Sequence, residues 1–131
     1  MKTPERTDTI IKEWEKDGLK FYIMSMMWAD RIKEGVYGLH DYHCGYVVFP
    51  ECPASNEDDA AMIMMIDVHG GITWNREVEG EGYVYGFDCG HYGDENDPYL
   101  RDVDWLTREC ESMGRQIVEA TGRKVAEPDG E

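Results

Sequence analysis

Residues that can ligate zinc are concentrated in the middle of the chain, and this placement constrains the fold more than any other feature of the sequence. Each stands beside a glycine, a proline or another possible ligand, and none lies inside a long helical pattern. They are His43, Cys44, Cys52, His69, Cys89 and His91. A tetrahedral zinc site takes four nitrogen or sulfur donors, and tight turns hold such donors in place. The sequence therefore predicts a small fold stabilised by a metal ion.

The charge balance restricts the class of partner. The chain has 131 residues, of which 41% are hydrophobic, so one domain with a hydrophobic core is expected. Its 13 basic and 28 acidic residues give a net charge of −15. Such a field repels nucleic acids and anionic membranes and attracts basic surfaces, although solubility alone is the alternative explanation. The interpretation is a binder of basic protein surfaces that contacts neither nucleic acid nor membrane directly.

The amino-terminal sequence predicts the compartment. It is charged and has no apolar signal segment, and no apolar run approaches the roughly 20 residues that cross a bilayer. We therefore expect a cytoplasmic protein whose cysteines stay reduced.

The order of secondary-structure patterns predicts an α+β fold. A helix is expected over residues 4–18, where Thr3 and Pro4 suit a helix start and Gly18 suits its end. Strand patterns occupy residues 19–28, 43–50, 60–74 and 82–91, and residues 28–42 are interpreted as a loop. Along the last of these strands, Gly82, Val84 and Gly86 would face one side, and Tyr83, Tyr85 and Phe87 the other.

A carboxy-terminal helix completes the predicted architecture. Asp102 would cap it and Gly122 would end it, and its apolar stripe is Leu106, Cys110, Met113 and Ile117. Since no β-α-β alternation appears, we expect a small antiparallel sheet of about four or five strands flanked by an N-terminal and a C-terminal helix. Residues 1–122 would form one zinc-stabilised domain, followed by a disordered tail at residues 123–131.

The predicted zinc ligands are chosen by their position at strand ends or in the adjoining loops. They are His43, Cys52, His69 and His91, with Cys44 and Cys89 as substitutes. Their spacing matches no zinc finger, so unrelated polar residues at sheet edges are the alternative. Asp67 and Asp88 are expected to hydrogen-bond to ligating histidines and orient them.

Two catalytic interpretations remain open from the residues. The runner-up function is a metal-dependent hydrolase, or a protein that sequesters a small molecule, in which Asp88 or Asp94 would act as the base. A third interpretation pairs Cys89 as a nucleophile with His91. Turn chemistry explains the Asp and Gly residues of these segments equally well.

Acidic clusters are the predicted contacts to a basic partner, with a solvated face as the alternative. The glutamates at 77, 79 and 81 alternate, which favours one face of a hairpin. The predicted contact residues are Glu57, Asp58, Asp59, Glu77, Glu79, Glu81, Asp94, Glu95 and Asp97.

A group of methionines is expected to fill the sheet core, with a pliable binding surface as the alternative. They are Met24, Met26, Met27, Met62, Met64 and Met65.

Four blocks of sequence resemble a family of small phage and prophage proteins. They are HCGYVVFPECP, DVHGGITW, GFDCGHYGD and YLRDVDWLTRECESM, and they cover residues 43–113. The family pattern runs GHxCGYV, PEGHP, VHGGLT and GFDxAHxGD. His43, His69 and His91 match its histidines. Cys52 falls near the histidine of PEGHP, although PECP is one residue shorter.

The resemblance implies a zinc ligand set and a biological setting. A cysteine in place of a histidine preserves zinc binding, which supports Cys52 beside the three histidines. Small acidic phage proteins of this kind include inhibitors of host defence such as anti-CRISPR proteins. The expected function is therefore non-enzymatic inhibition. The acidic surface would bind a basic surface of a host nuclease, such as a type II CRISPR effector, and oppose nucleic-acid loading.

Overall fold

Five strands form one antiparallel sheet. The computed structural model describes residues 7–53, 56–90, 98–123 and 125. The strands are β1 (Thr7–Lys16), β2 (Leu19–Lys33), β3 (Val36–Phe49), β4 (Trp74–Val78) and β5 (Gly82–Asp88), in the sheet order β1-β2-β3-β5-β4. The helices are α1 (Asn56–Met65), a short 3-10 helix (Pro98–Arg101) and α2 (Val103–Thr121). The α+β class, the antiparallel sheet and the carboxy-terminal helix are confirmed.

The predicted amino-terminal helix is wrong. Residues 7–16 form the edge strand β1, and residues 4–6 lie outside the described part of the chain. Gly18 does not end a helix, because Asp17 and Gly18 have φ angles of 54° and 79° and join β1 to β2. Positive φ at both central residues is typical of the tight hairpin turn that an Asp-Gly pair favours. Alternate side chains of β1 face the core, as expected for a strand. Lys12 and Trp14 are partly buried, whereas their neighbours along the strand are exposed.

Residues 28–42 are not the predicted loop. They are the outer ends of β2 and β3, which pair out to Lys33 and Val36 across a turn at Glu34 and Gly35. The strand pairing of β1 ends at Met27, and that of β5 ends at Cys44. The hairpin therefore extends beyond its neighbours as a two-stranded ribbon.

The strand predicted over residues 60–74 is also wrong. Residues 56–65 form helix α1, and only Trp74 belongs to a strand. Asp59, Met62 and Ile66 are buried whereas Met64 and Met65 are exposed, which is a helical pattern. Alanine and methionine are good helix formers, and their apolar character resembled a buried strand in the sequence.

Two local predictions are confirmed in detail. The side chains of β5 alternate as expected, with Tyr85 and Phe87 in the core and Val84 on the other face. Asp102 caps α2 by accepting hydrogen bonds from the Asp104 and Trp105 amides. Gly122, at a φ of 65°, ends the helix and donates its amide to Val118.

The main core lies between α2 and one face of the sheet. The buried residues of α2 pack against alternate residues of β2, β3 and β5, and α1 adds Met62. The core residues of α2 are Leu106, Cys110, Met113 and Ile117, as predicted. Gly45 allows α2 to approach β3 closely, since a Cβ at this position would stand 2.5 Å from the Cys110 sulfur and 2.6 Å from the Phe87 ring.

The methionine prediction holds for the two buried methionines. Met62 lies in the main core, and Met26 lies in a second buried cluster on the opposite sheet face, against which Met24 packs. Met27, Met64 and Met65 are 45%, 88% and 77% exposed. The expectation that all six methionines fill the core is therefore wrong.

The described helices do not include one long and apolar enough to cross a membrane. All four cysteines are free thiols, with Cys52 exposed and the other three buried. Most of the predicted tail, residues 124 and 126–131, lies outside the described residues. Arg123, at its start, packs its guanidinium 4.5 Å from the centre of the Phe49 ring.

Candidate functional site

The sheet face opposite α2 carries a continuous row of aromatic side chains. We call it the open face, because within the described part of the chain neither α-helix contributes to its apolar cluster. The buried members of that cluster are at most 8% exposed. The Tyr22 and Tyr46 rings stack with centroids 4.8 Å apart, and Tyr46 meets Trp74 edge-on at 5.7 Å. Gly86 makes room for this row, since a Cβ there would stand 2.5 Å from the Tyr46 ring. The row therefore crosses the sheet from β2 to β4.

A groove of about 410 Å³ lies on the open face. Its lining is mainly aromatic and sulfur-containing, which is typical of small binding sites with few polar groups. The lining residues are Tyr22, Met24, Met26, Tyr42, Cys44, Tyr46, Thr73, Trp74, Gly86, Phe87 and Asp88. Asp88 is the one charged residue among these described lining residues.

Hydrogen bonds hold the Asp88 carboxylate in place. Its Oδ2 accepts from the Thr73 hydroxyl at 2.8 Å, and its Oδ1 accepts from the Gly90 amide at 3.0 Å. Asp88 thus presents a fixed negative charge beside an apolar groove.

The opposite end of the aromatic row is also acidic. Lys20 lies 2.8 Å from Glu13 and 3.5 Å from Glu81. The hydrogen bond from Lys20 to Glu13 is the main cause that raises the pKa of this lysine. Burial, with a contribution from Glu81, raises the pKa of Tyr22 to about 12. The open face therefore combines aromatic rings with carboxylates at both ends and with two cations, Lys20 and Arg76.

His43 and Cys89, two of the candidate zinc ligands, stand opposite each other on neighbouring strands. The Cys89 amide donates to the His43 carbonyl at 2.9 Å, which continues the register of β3 and β5 and places both side chains on the α2 side. His43 Nδ1 is buried and makes no hydrogen bond in the described structure. Burial, aided by the positive charge of Arg101, lowers the pKa of His43. A neutral imidazole with a free nitrogen suits metal ligation.

Cys52 is far from His43. Its thiol donates a hydrogen bond to Glu77, which stands opposite Tyr83, whereas His43 lies near Asp88 at the other end of β5. Tyr83 and Asp88 are separated by roughly 17 Å along the strand. Ligands of one zinc ion lie within about 2.3 Å of it, so Cys52 and His43 cannot share an ion in this arrangement. The hydrogen bond to Glu77 also raises the pKa of the Cys52 thiol.

Of the two remaining predicted ligands, the structure describes His69 and not His91. The His69 amide donates to Glu109 of α2 at 3.2 Å, and its ring lies 6.1 Å from that of Trp105. His91 lies outside the described residues. Among the residues that are described, no three His, Cys, Asp or Glu side chains form a group that could hold a metal ion.

The expected supports of the histidines have other contacts. Asp67 is exposed, and its backbone exchanges two hydrogen bonds of 2.8 Å with the Gln116 side chain. Asp88 shares the open face with Cys44, its partner in the strand register, so the sheet separates its carboxylate from His43. Asp88 therefore does not orient His43, and its predicted role beside His91, which lies outside the described residues, stays a prediction.

The predicted acidic contacts that the structure describes do not share one surface. Asp59 is 6% exposed and accepts a hydrogen bond from Tyr85, so it cannot face a partner. Glu77 and Glu81 lie on opposite faces, beside Cys52 and Lys20 respectively, and Glu79 is exposed in the intervening turn. Glu57 is exposed on α1. The Asp58 side chain and all of Asp94, Glu95 and Asp97 lie outside the described residues.

The aromatic row was missed in the sequence. Tyr42, Cys44, Tyr46 and Val48 alternate along β3, a signal that could have placed Tyr46 on a distinct face. The partners of Tyr46 come from β2 and β4, which lie about 25 residues away in either direction, and no local pattern connects them.

Comparison with known proteins assigns no family. No family model, no curated protein and no solved structure matches this chain.

Proposed function

We propose that this protein is a non-enzymatic inhibitor that binds a basic protein surface through its open face. The observation that carries the proposal is the apolar aromatic face with carboxylates at its ends on a molecule of net charge −15. The acidic field would direct association toward basic partners, and Trp74, which is 37% exposed, would add an apolar contact. The expected partner is a host nuclease of the type II CRISPR class, on which the protein would occupy the nucleic-acid channel.

Inhibition of a purified type II nuclease tests this function. The protein should inhibit DNA cleavage, more strongly when it is added before the guide RNA than after. Inhibition should weaken between about 50 and 300 mM NaCl, because salt screens exposed charges. Full cleavage at low salt with excess protein would reject this nuclease as the partner. Inhibition insensitive to salt would reject the electrostatic mechanism.

A matched pair of variants tests which face makes the contact. Glu13→Gln with Glu81→Gln removes two negative charges from the open face, where both carboxylates contact Lys20. Glu57→Gln with Glu119→Gln removes the same charge from exposed positions on α1 and α2. The first pair should weaken inhibition several-fold more than the second. Equal effects of the two pairs would contradict contact through the open face.

A structural zinc is part of the proposal, with a changed ligand set. Cys89 replaces Cys52, supported by its position opposite His43 and by the buried, unbonded His43 Nδ1. His69 and His91 are kept from the sequence prediction. Zinc in such a site would contribute to folding stability rather than to chemistry.

Metal content and thermal stability test the zinc proposal. Protein purified without added metal should contain one zinc per chain, and chelation should lower Tm. Cys89→Ser should lose the metal, whereas the matched control Cys52→Ser should keep it, since Cys52 lies at the other end of the strand. Metal loss in Cys52→Ser with retention in Cys89→Ser would restore the original ligand set. A metal-free wild-type protein would reject zinc.

A further inference from the structure

We propose that the outer edge of β3, at residues 36–40, pairs with the same edge of a second copy of this protein and joins the two sheets into one. The feature that carries this inference is a set of open backbone hydrogen-bonding groups where β3 extends past the end of β5. The inference goes beyond the proposed function and does not depend on it.

The strand register identifies which backbone groups of this edge are open. The pairing of β3 with β5 ends at Cys44, and one further bond joins the Cys89 amide to the His43 carbonyl. In an antiparallel strand the backbone groups of alternate residues point to the same edge. Counting back from His43, the N–H and C=O groups of Leu39 and Tyr37 therefore point outward, away from β2.

Arg101 closes the position between His43 and these open groups. Its guanidinium donates to the Asp41 carbonyl at 2.9 Å and forms an ion pair with the Asp41 carboxylate. Within the described part of the chain, no backbone group bonds to the outward side of Leu39 or Tyr37. Two N–H and two C=O groups are thus available, and such an unpaired edge is a template for pairing with another chain.

The other open edges of the sheet carry features that discourage strand pairing. A register shift lies between Ile10 and Lys12 of β1, and the Lys12 ammonium donates to Thr107 of α2. Such irregularities, inward-pointing charges and charged edge residues protect a strand edge. The charged residues of the other edges are Arg76 and Glu77 in β4, and Asp30, Arg31 and Lys33 in β2. Residues 36–40 read VYGLH and contain no proline, lysine, arginine or carboxylate.

Local charge allows a second copy to approach at this edge. Two molecules of net charge −15 repel each other over most of their surfaces. Residues 36–40 carry no formal charge with a neutral histidine, and the adjoining Asp41 carboxylate is paired with Arg101. The preceding residues 28–35 balance two acidic residues against two basic ones. The proposed contact is therefore a neutral segment of a strongly acidic molecule.

A two-fold axis at Gly38 uses all four open groups. Leu39 of each copy would stand opposite Tyr37 of the other, and each of these two pairs would form two hydrogen bonds. Gly38 would face its own copy in the narrow pair between them, where Cα atoms approach to about 4.5 Å. A glycine inside a strand often marks such a close approach of another backbone. The two-stranded ribbon would become four-stranded, which stabilises a hairpin that is marginal by itself.

Analytical ultracentrifugation tests whether the second copy binds. One strand pair is a small interface, so we expect a dimer with a Kd on the order of 10–100 µM. Dimerisation should strengthen between about 20 and 300 mM NaCl, because salt screens the repulsion between the two copies. A protein that stays monomeric up to about 1 mM would overturn the inference. Dimerisation that weakens with salt would indicate ion pairs in place of strand pairing and would also overturn it.

Two substitutions at one position test whether backbone groups make the contact. Leu39→Pro removes the outward N–H, whereas the bonds of β3 to β2 belong to the alternate residues Gly38 and His40. The matched control Leu39→Ala keeps this N–H. The proline variant should be monomeric at concentrations where the wild-type protein and the alanine variant dimerise, with circular dichroism verifying the fold of each. Equal loss in both variants, or loss in neither, would overturn the pairing.

Hydrogen exchange locates the contact without any substitution, so a poorly folded variant does not decide the outcome. The amides of Tyr37 and Leu39 should exchange more slowly as the protein concentration rises. Those of Gly38 and His40, which the register directs toward β2, should change little. Slowing confined to β1 or β4 would overturn the inference, because the second copy would then bind at another edge.

Discussion

Asp59 shows how a single buried charge can connect two helices to the sheet. Its carboxylate accepts a hydrogen bond from the Tyr85 hydroxyl at 2.5 Å, and that hydroxyl accepts one from Arg123 at 2.5 Å. Arg123 also donates to the Glu51 carbonyl. Helix α1, strand β5 and the segment that follows α2 thus meet at one network. A buried carboxylate is tolerated there because its hydrogen bonds offset the cost of desolvation.

Removing Asp59 should destabilise the protein strongly. Asp59→Ala leaves the buried Tyr85 hydroxyl without its acceptor, so the free energy of unfolding should fall by about 2–3 kcal/mol in urea denaturation. The control Asp67→Ala removes an exposed carboxylate and should change it by less than about 0.5 kcal/mol. Similar losses in the two variants would contradict the network.

Tyr22 should contribute to alkaline sensitivity. Its pKa is raised to about 12, chiefly by burial, so the folded state holds this proton more tightly than the unfolded state. The stabilisation is complete below the ordinary pKa of about 10 and is lost as pH rises from there toward about 12. Tyr22→Phe should therefore reduce the fall in Tm between pH 9 and 11, measured by circular dichroism. The same fall in Tyr22→Phe as in the wild-type protein would contradict the assignment.

At the scale of elements, the sequence predicted correctly the helix α2, whose two ends carry capping residues. Asp102 and Gly122 bound α2, because a cap needs only the residues of one helix end. Asp17 and Gly18 are equally local, yet they suit both a helix end and a hairpin turn. The choice between helix and strand for residues 7–16 depends on β2, which supplies the pairing partners of β1.

The packing of α2 on β3 predicts a cost for any side chain at position 45. Gly45→Ala places a Cβ against the Cys110 sulfur and the Phe87 ring, so the free energy of unfolding should fall by about 1–3 kcal/mol. Adding Cys110→Ala should recover part of the loss, giving a less than additive double-mutant cycle in urea. Fully additive effects would show that the two sites are not in contact.

At the scale of the whole molecule, net charge should act in opposite directions on folding and on partner binding. Fifteen excess negative charges repel one another in the compact state, so Tm should rise by a few degrees between about 20 and 300 mM NaCl. Binding to a basic partner should weaken over the same range. Sodium sulfate at matched ionic strength controls for surface exclusion. A Tm independent of NaCl would contradict self-repulsion.

The candidate sites show the same division between local and long-range information. The sequence identified His43 and Cys89 as possible ligands from their residue types and neighbouring glycines, but it ranked Cys52 above Cys89. Only the antiparallel pairing of β3 and β5 brings Cys89 opposite His43 and leaves Cys52 at the other end. The spacing of residues along the chain does not predict that strand register.

The sequence alone determined the α+β class, the antiparallel sheet, the side-chain alternation of β5 and both ends of α2. These properties arise from caps, turns and periodicities that act within about one helical turn or one strand. Tertiary structure decided that residues 7–16 are a strand, that residues 56–65 are a helix, and that the open face carries the aromatic row. Each of these depends on which distant strand or helix supplies the partner, because pairing and burial stabilise a segment only when its partner is in place.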